Sequence, residues 1–442
     1  MTPRRLVLAA LLGLLVTGAC TDQVPTFDDG SAIPIDAETV EVLLPFSEFG
    51  RDFQVFGGFG SQADLAGSYV AHEYRGDFSA RTLIRLGAFP ASISVFPEGE
   101  STTVPDSAYV PLGGNLVIRM DTTRSVPEEA VELEAGHMLA PEWDIRTASW
   151  QAAVDTLGRR VDWGEAGGGP VRSLGTGMWD PQEADTLVIP VDSATVNQWR
   201  EADESVDRSV RVESRSSGHL LGINSMELRA RLQSSVNPDT VVTVVRGIVG
   251  STFIYNPEPG VSQEEIRIGG APARRAFFRI QLPDRFEEGS AACEVLPTCP
   301  MDLDRDRVVY AGLVMQTRPV EPPAFEPLDT LRLDVRPTLS PERIPRSPLG
   351  SSVQPTARTF PPGIFAADGS TRVEVPMTRY VQDLLGIPDD DPQQRDEVPS
   401  TVALLSPVEP SGFQFGSLFG PGTEGEPFLR LILTITDGVQ LP

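Results

Sequence analysis

The 442-residue chain contains no lysine, so all 36 of its basic residues are arginines, and 62 acidic residues give it a formal charge of −26. A balance this acidic excludes a typical nucleic-acid-binding protein, because phosphate contacts need a positive face. It also disfavours adsorption to anionic lipid headgroups. With 40% hydrophobic residues, the chain is nevertheless apolar enough to fold.

Histidine and cysteine are scarce, with three residues of each. The histidines form no His-x-x-x-His pair for a metal, and no serine or cysteine stands in a nucleophile-elbow context. Carboxylate pairs for glycoside hydrolysis could be drawn among many acidic residues, but nothing selects one pair. We therefore predict that the protein is not an enzyme, and a secreted hydrolase is the least favoured alternative.

The N-terminus has the pattern of an export signal. Arg4 and Arg5 precede an apolar run over residues 6–16, and small residues then lead to Cys20. The run is too short to cross a bilayer of roughly 30 Å. The pattern predicts a secretory signal peptide over residues 1–19, followed by a tether over residues 20–34.

The cysteine at the cleavage point resembles the lipobox of bacterial lipoproteins. This resemblance implies a diacylglyceryl group on Cys20, an N-terminal lipid anchor in a membrane, and a location at the outer membrane or cell surface. Thr17 departs from the aliphatic residue usual in the family. An ordinary signal peptide followed by a chance cysteine is the alternative.

The two remaining cysteines are Cys293 and Cys299. An even number of cysteines in an oxidising compartment predicts one disulfide that closes a small loop. Zinc is the alternative ligand, but no histidine lies nearby and the spacing matches no zinc pattern.

Short runs of Val, Ile, Leu and Phe recur along the chain between Gly, Pro, Asp and Ser, and many alternate apolar with polar residues, as residues 331–335 do. This period of two is typical of antiparallel strands with one buried face. Only residues 193–202 and 378–386 look helical. The sequence predicts an all-β fold of two tandem jelly-roll-like antiparallel β-sandwiches, each with one short helix.

An internal duplication supports two domains. Strands led by Arg81 and Arg275 are each followed by a strand ending in Pro190 or Pro376, and then by a short helix. We expect one copy at residues 35–235 and a divergent copy at 236–442.

The first copy carries five tryptophans in a set order with Gly167–169 between the third and the fourth. This order resembles that of the DNRLRE-type domains of secreted bacterial proteins, which are jelly-roll sandwiches related to carbohydrate-binding modules. The resemblance covers residues 80–232. It reaches the second copy only through the repeat, since that copy has no tryptophan.

Four of these indoles are candidates for a glycan site, because aromatic rings stack on sugars: Trp143, Trp150, Trp163 and Trp179. The alternative, which we favour, is that they pack the sandwich. We expect Trp179 to be the most exposed of them and Trp199 to lie in the core.

Asp302, Asp304 and Asp306 alternate like calcium ligands. Arg307 and Leu313 stand where an EF-hand needs Gly and Glu, so a solvated charged turn is favoured and no cofactor is expected beyond this weak calcium candidate. Together these patterns predict a non-catalytic lipoprotein with a structural or adhesive role, whose two sandwiches pack in tandem or against an envelope protein. The alternative is a carbohydrate-binding protein that holds polysaccharide at the cell surface.

Overall fold

The structure is a computed structural model that describes residues 38–127, 129–139, 142–260, 262–366, 369–386 and 398–435. Cys20, the expected signal peptide and the expected tether lie outside these residues. One compact unit comprises Glu41–Leu433. The other comprises Met1–Val40 and Thr434–Pro442, of which residues 38–40 and 434–435 are described.

The described residues are mostly β-strands in antiparallel sheets, which confirms the all-β prediction. The strands of the N-terminal half are β1 (Glu38–Pro45), β2 (Gly50–Phe59), β3 (Ser68–Tyr74), β4 (Phe78–Leu86), β5 (Ile93–Val95), β6 (Val104–Asp106), β7 (Val110–Asp121), β8 (Val131–Met138), β9 (Ala152–Thr156), β10 (Arg159–Asp162), β11 (Val171–Trp179), β12 (Thr186–Val191), β13 (Ser209–Ser214) and β14 (His219–Gln233). Those of the C-terminal half are β15 (Val241–Asn256), β16 (Glu265–Gly269), β17 (Ala273–Ile280), β18 (Arg285–Phe286), β19 (Met301–Asp302), β20 (Val308–Arg318), β21 (Leu331–Pro337), β22 (Arg358–Phe360), β23 (Arg372–Pro376), β24 (Thr401–Leu405), β25 (Phe415–Phe419) and β26 (Phe428–Ile435).

Three α-helices occur in the described part of the chain: α1 (Phe46–Phe49), α2 (Ser193–Glu201) and α3 (Thr378–Leu385). The second and third confirm the two predicted helices. The side chain of Asp192 caps α2 by accepting a hydrogen bond from the backbone N–H of Thr195 at 2.7 Å. None of the helices among these residues is long and apolar enough to cross a membrane.

The first lobe is one large sheet in the order β11-β8-β13-β4-β15-β14-β7-β12, with β3 paired to β14 and β4. Its two ends approach each other: a Cβ on Gly177 in β11 would lie 2.7 Å from Leu187 of β12. The curved sheet therefore encloses one core, which includes Ile84, Leu116 and Leu228.

The second lobe contains two sheets, β1-β26-β20-β25-β16 with β23 on β20, and β2-β17-β24-β21-β22. They meet where β16 packs near β17, β21 and β24. Leu313 and Leu431 of the first of these sheets, and Val335 and Leu404 of the second, are buried.

The sheets do not follow the expected boundary at residue 235. Strand β15 begins after it, yet pairs with β14 and β4 of the first lobe. In the opposite direction, β2 precedes the boundary and pairs with β17 of the second lobe. Strand pairing is set by long-range register rather than by sequence order, so each expected copy supplies strands to the other lobe.

An aromatic cluster joins the two lobes. The rings of Phe78 and Phe413 are stacked with centroids 5.6 Å apart. Tyr69 meets Phe413 edge-on at 4.7 Å, and Phe325 approaches Tyr255 at 5.5 Å. Such offset and edge-to-face pairs stabilise a contact beyond the area they bury, so the lobes share a specific apolar interface.

Candidate functional site

The tryptophan-rich segment at residues 142–169 is a loop that covers the outer face of the first-lobe sheet. It contains the β9–β10 hairpin, and its side chains Trp143, Ala153 and Trp163 pack on Leu83 of β4 and Ile254 of β15. The strand alternation of β4 explains this arrangement. Ile84 and Leu86 belong to the enclosed core, whereas Leu83 lies on the opposite face, beneath the loop.

Three strand arginines fasten the loop, and we call Arg81, Arg85 and Arg211 the arginine clamp. Arg81 Nη1 donates to the carbonyl oxygen of Gly167 at 2.7 Å, and Arg211 Nη1 donates to that of Gly169 at 2.6 Å. Arg85 donates to the carbonyl oxygen of Trp143. Because charged donors form stronger hydrogen bonds than neutral ones, these contacts fix the course of the loop backbone.

The glycines of the loop make this close approach possible. Gly167 has a φ of 86°, in the left-handed region that favours glycine. A Cβ on Gly167 would lie 2.3 Å from Arg81 Nη1, so a side chain there would displace the clamp. The close contact with Arg81 of β4 therefore requires glycine at position 167.

Two guanidinium groups of the clamp also cover indoles. The Arg81 guanidinium carbon lies 4.8 Å from the Trp150 ring centroid, and that of Arg85 lies 4.4 Å from Trp143. One face of each indole is thus occupied by the protein's own cation, which leaves less aromatic surface for a sugar.

Four of the five indoles are in the interior. Each also donates its Nε1 hydrogen to a protein acceptor, as buried indoles normally do. The exposed fractions are 1% for Trp143, 6% for Trp163, 1% for Trp179 and 0% for Trp199. The acceptors are Ser209 Oγ for Trp143, the Ser149 carbonyl for Trp163, the Ala184 carbonyl for Trp179 and His137 Nδ1 for Trp199.

The expectation that Trp179 is the most exposed indole was wrong. Trp179 ends β11, and alternation directs Met178 outward, where it is 61% exposed, while Trp179 joins the enclosed core. The expectation that Trp199 lies in the core is confirmed. Of the four candidate indoles, only Trp150 is half-exposed.

A cavity of about 290 Å³ opens beside Trp150. Its polar residues are His72, Ser79, Arg81, Glu213, Ser214 and Arg215. Arg81 Nε pairs with Glu213 Oε2 at 2.8 Å, and burial lowers the pKa of Arg81 although Glu213 opposes the shift. Arg215 pairs with Glu134, and this hydrogen bond raises the pKa of Arg215. The cavity therefore offers charged hydrogen-bonding groups next to one aromatic ring.

The second lobe has a similar arrangement around Arg275 of β17, the residue that corresponds to Arg81 of β4 in the expected duplication. Arg275 Nη2 pairs with Glu409 Oε2 at 2.5 Å, and its guanidinium carbon lies 3.9 Å from the Phe59 ring centroid. An arginine held between a carboxylate and an aromatic ring thus occurs in both lobes. In the second lobe Phe59 stands in place of a tryptophan, but it comes from a segment distant in sequence.

The other predicted site residues are spread apart. Cys293 and Cys299 form the predicted disulfide, with Cα atoms 5.8 Å apart. Asp302 pairs with Arg285 at 3.5 Å, and Asp304 pairs with Arg307 at 3.4 Å. Within the described ranges no group of three or more His, Cys, Asp or Glu side chains is placed to hold a metal. Two of the three aspartates are thus paired with arginines.

Sequence reasoning missed the buried polar residues Arg211, Glu213 and His137. For Arg211 and Glu213, the signal available was charge alternating with Val210 and Val212 in residues 209–214. His137 accepts a hydrogen bond from Trp199 Nε1 at 3.0 Å, which requires a neutral Nδ1. Burial and the nearby charge of Arg172 lower the pKa of His137, which favours the neutral ring that accepts the Trp199 hydrogen bond.

No family model and no curated protein matches the chain. Among solved structures, one titled BspA_C_mut aligns over 90% of this chain and 90% of its own length, with 6% sequence identity and a TM-score of 0.13. A similarity this low carries no argument about fold or function.

Proposed function

We propose that the protein is a non-catalytic, exported lipoprotein of the outer membrane or cell surface with a structural or adhesive role. The observation that supports this most is the burial of Trp143, Trp163 and Trp179 together with the arginine clamp on their loop. The segment that looks most like a ligand site in the sequence is used to cover a sheet. Its polar contacts go to the protein's own backbone, which suits a rigid scaffold.

The membrane part of the proposal rests on the N-terminal sequence. A lipid thioether on Cys20 would anchor a chain whose net charge alone gives it no attraction to anionic headgroups. The test is to express the full chain in a bacterial host, isolate membranes and determine the mass of the mature N-terminal peptide.

We expect cleavage before Cys20 and the added mass of acyl chains, with the protein in the membrane fraction. The matched control Cys20→Ser retains the apolar run but has no thiol to acylate. An unmodified Cys20 in a protein released from the membrane would contradict the proposed lipid anchor. The protein would then be an ordinary secreted protein.

Carbohydrate binding is the second candidate, and the cavity beside Trp150 favours it. Arg81, Glu213 and Arg215 provide donors and acceptors for hydroxyl groups, and the half-exposed indole provides an apolar face. We would titrate the protein with a polysaccharide panel, with and without calcium, while following tryptophan emission.

A saturable change that is lost in Trp150→Ala and retained in Trp150→Phe would support a sugar stacked at this position. Tryptophan emission that stays unaltered across the panel would contradict glycan binding at Trp150 and leave the structural or adhesive role as the proposal. Emission changes that persist in Trp150→Ala would place any glycan elsewhere on the protein and contradict binding at this cavity.

A further inference from the structure

A separate cavity of about 180 Å³ lies at the junction of the lobes. The aromatic rings of Tyr255, Phe413 and Phe415 line one part of it, and the turn at Gly269 and Gly270 lines another. Both glycines have a φ of 92°, in the left-handed region. A water needs only about 10–15 Å³ of such volume, so this cavity has room for a ligand of several heavy atoms.

Two arginines line the same cavity in a chain that carries a large negative charge. Arg267 is 6% exposed, and its Nη2 contacts Glu265 Oε2 at 2.8 Å and the Gly260 carbonyl oxygen at 2.6 Å. Glu265 is in turn held by the Ser417 hydroxyl at 2.6 Å. Arg267 Nε is buried and has no hydrogen-bond partner among the described residues, which is a costly state for a charged group.

Arg274 is the second cation. It is half-buried and, within the part of the chain that the structure describes, forms neither a hydrogen bond nor a salt bridge. Its stem passes Gly57, where a Cβ would lie 3.6 Å from Arg274 Cγ. Burial lowers the pKa of Arg274, and the like charge of Arg267 lowers it further.

The acidic groups near this pair neutralise Arg267 but form no salt bridge with Arg274. Glu265 is already occupied by Arg267 and Ser417. Glu258, the carboxylate at the cavity wall, is exposed and makes no salt bridge with Arg267 or Arg274. Arg274 therefore remains a partly buried cation beside a second one, which costs free energy unless a further anion compensates it.

We propose that this cavity binds a small organic carboxylate. The carboxylate oxygens accept hydrogen bonds from the Arg274 guanidinium, with the charge of Arg267 close by, and the apolar part of the ligand lies against Phe413 and Tyr255. Arginine is suited to this role because its planar donors match the geometry of a carboxylate. The aromatic wall favours an organic anion over inorganic phosphate.

The test uses isothermal titration calorimetry on the whole chain without its signal peptide, with benzoate as the probe. Benzamide is a neutral molecule of the same shape, so its affinity relative to benzoate measures the contribution of the ligand's charge. Inorganic phosphate has no apolar part, so its affinity relative to benzoate measures the contribution of the aromatic ring. The variant Arg274→Met keeps an unbranched apolar stem and removes the cation. The matched control is Arg279→Met on the same strand, whose exposed side chain pairs with Asp52 at 3.0 Å.

We expect benzoate to bind with a millimolar or lower dissociation constant, benzamide and phosphate to bind at least tenfold more weakly, and Arg274→Met to weaken benzoate at least tenfold. Arg279→Met should bind as the wild type does. Equal binding of benzoate by Arg274→Met, phosphate as tight as benzoate, or no benzoate heat in the millimolar range would each overturn the proposal. Unchanged far-UV circular dichroism and thermal unfolding establish that the variants are folded. The outcome is independent of lipidation at Cys20 and of glycan binding at Trp150.

Discussion

Replacing Arg211 by Met tests whether the arginine clamp holds the tryptophan loop. Arg211 is 8% exposed and donates from Nη1 to the carbonyl oxygens of Gly169, at 2.6 Å, and Gly167, at 3.3 Å. Hydrogen bonds from charged donors contribute about 1.5–3 kcal/mol each, and the 3.3 Å contact counts for less. Glu213 retains its ion pair with Arg81 at 2.8 Å, so the variant does not leave this buried carboxylate without a cation. We expect a loss of about 2–4 kcal/mol in the free energy of unfolding of the first lobe.

The assay is urea unfolding followed by tryptophan emission, since every tryptophan belongs to the first lobe. Acrylamide quenching in the absence of urea reports the loop itself, because loosening it exposes Trp143 and Trp163. The matched control is Arg160→Met on the β9–β10 hairpin. The side chain of Arg160 is 54% exposed and contacts Asp155 and Asp162 at 2.9 Å each.

Exposed ion pairs like those of Arg160 contribute little to stability, because solvent screens them. The control should therefore leave both the urea midpoint and the quenching nearly unchanged. The reasoning is refuted if Arg211→Met costs no more than Arg160→Met, or if the buried indoles remain as protected from acrylamide as in the wild type. Either result would mean that packing alone fixes the loop.

Further predictions concern buried ionisable groups and the disulfide. Burial acts to raise the pKa of Asp106, but hydrogen bonds from the turn after β14 outweigh it and lower the pKa to about 2. The stability that this carboxylate contributes above pH 4 should therefore be lost as the pH falls toward 2. The variant Asp106→Asn should flatten this part of the pH–stability curve. The pKa of His137 is lowered by burial, so the unfolded chain takes up a proton below about pH 6.5 that the folded one resists. The urea midpoint should therefore drop from pH 7 to pH 5, and it should drop less in His137→Asn; an equal drop contradicts the assignment. Replacing Cys293 and Cys299 together by Ser should cost about 2 kcal/mol, read as a lower thermal midpoint by circular dichroism with tryptophan emission unchanged at 25 °C.

The sequence alone was sufficient where the determining interactions are local. The period-two alternation predicted antiparallel strands, because successive side chains of a strand point to opposite faces whatever its neighbours are. The two helices are also local segments, and the Asp192 side chain just before α2 caps that helix. The disulfide followed from two cysteines close in the chain. The expected lipid anchor at Cys20 rests on sequence in the same way and remains a prediction.

Only the tertiary structure decided which strands pair, which indoles are buried and where charges meet. Strand β15 joins the first lobe and β2 the second because hydrogen-bond register and core burial over the whole sheet outweigh order in the chain. The same long-range geometry directed Trp179 inward and placed Arg211 of β13 beneath glycines from a distant loop. It also brought Arg267 and Arg274 to one cavity with Phe413. Residue types recorded in the sequence carry the chemistry, but the distances between them depend on pairing across hundreds of residues, which no local pattern encodes.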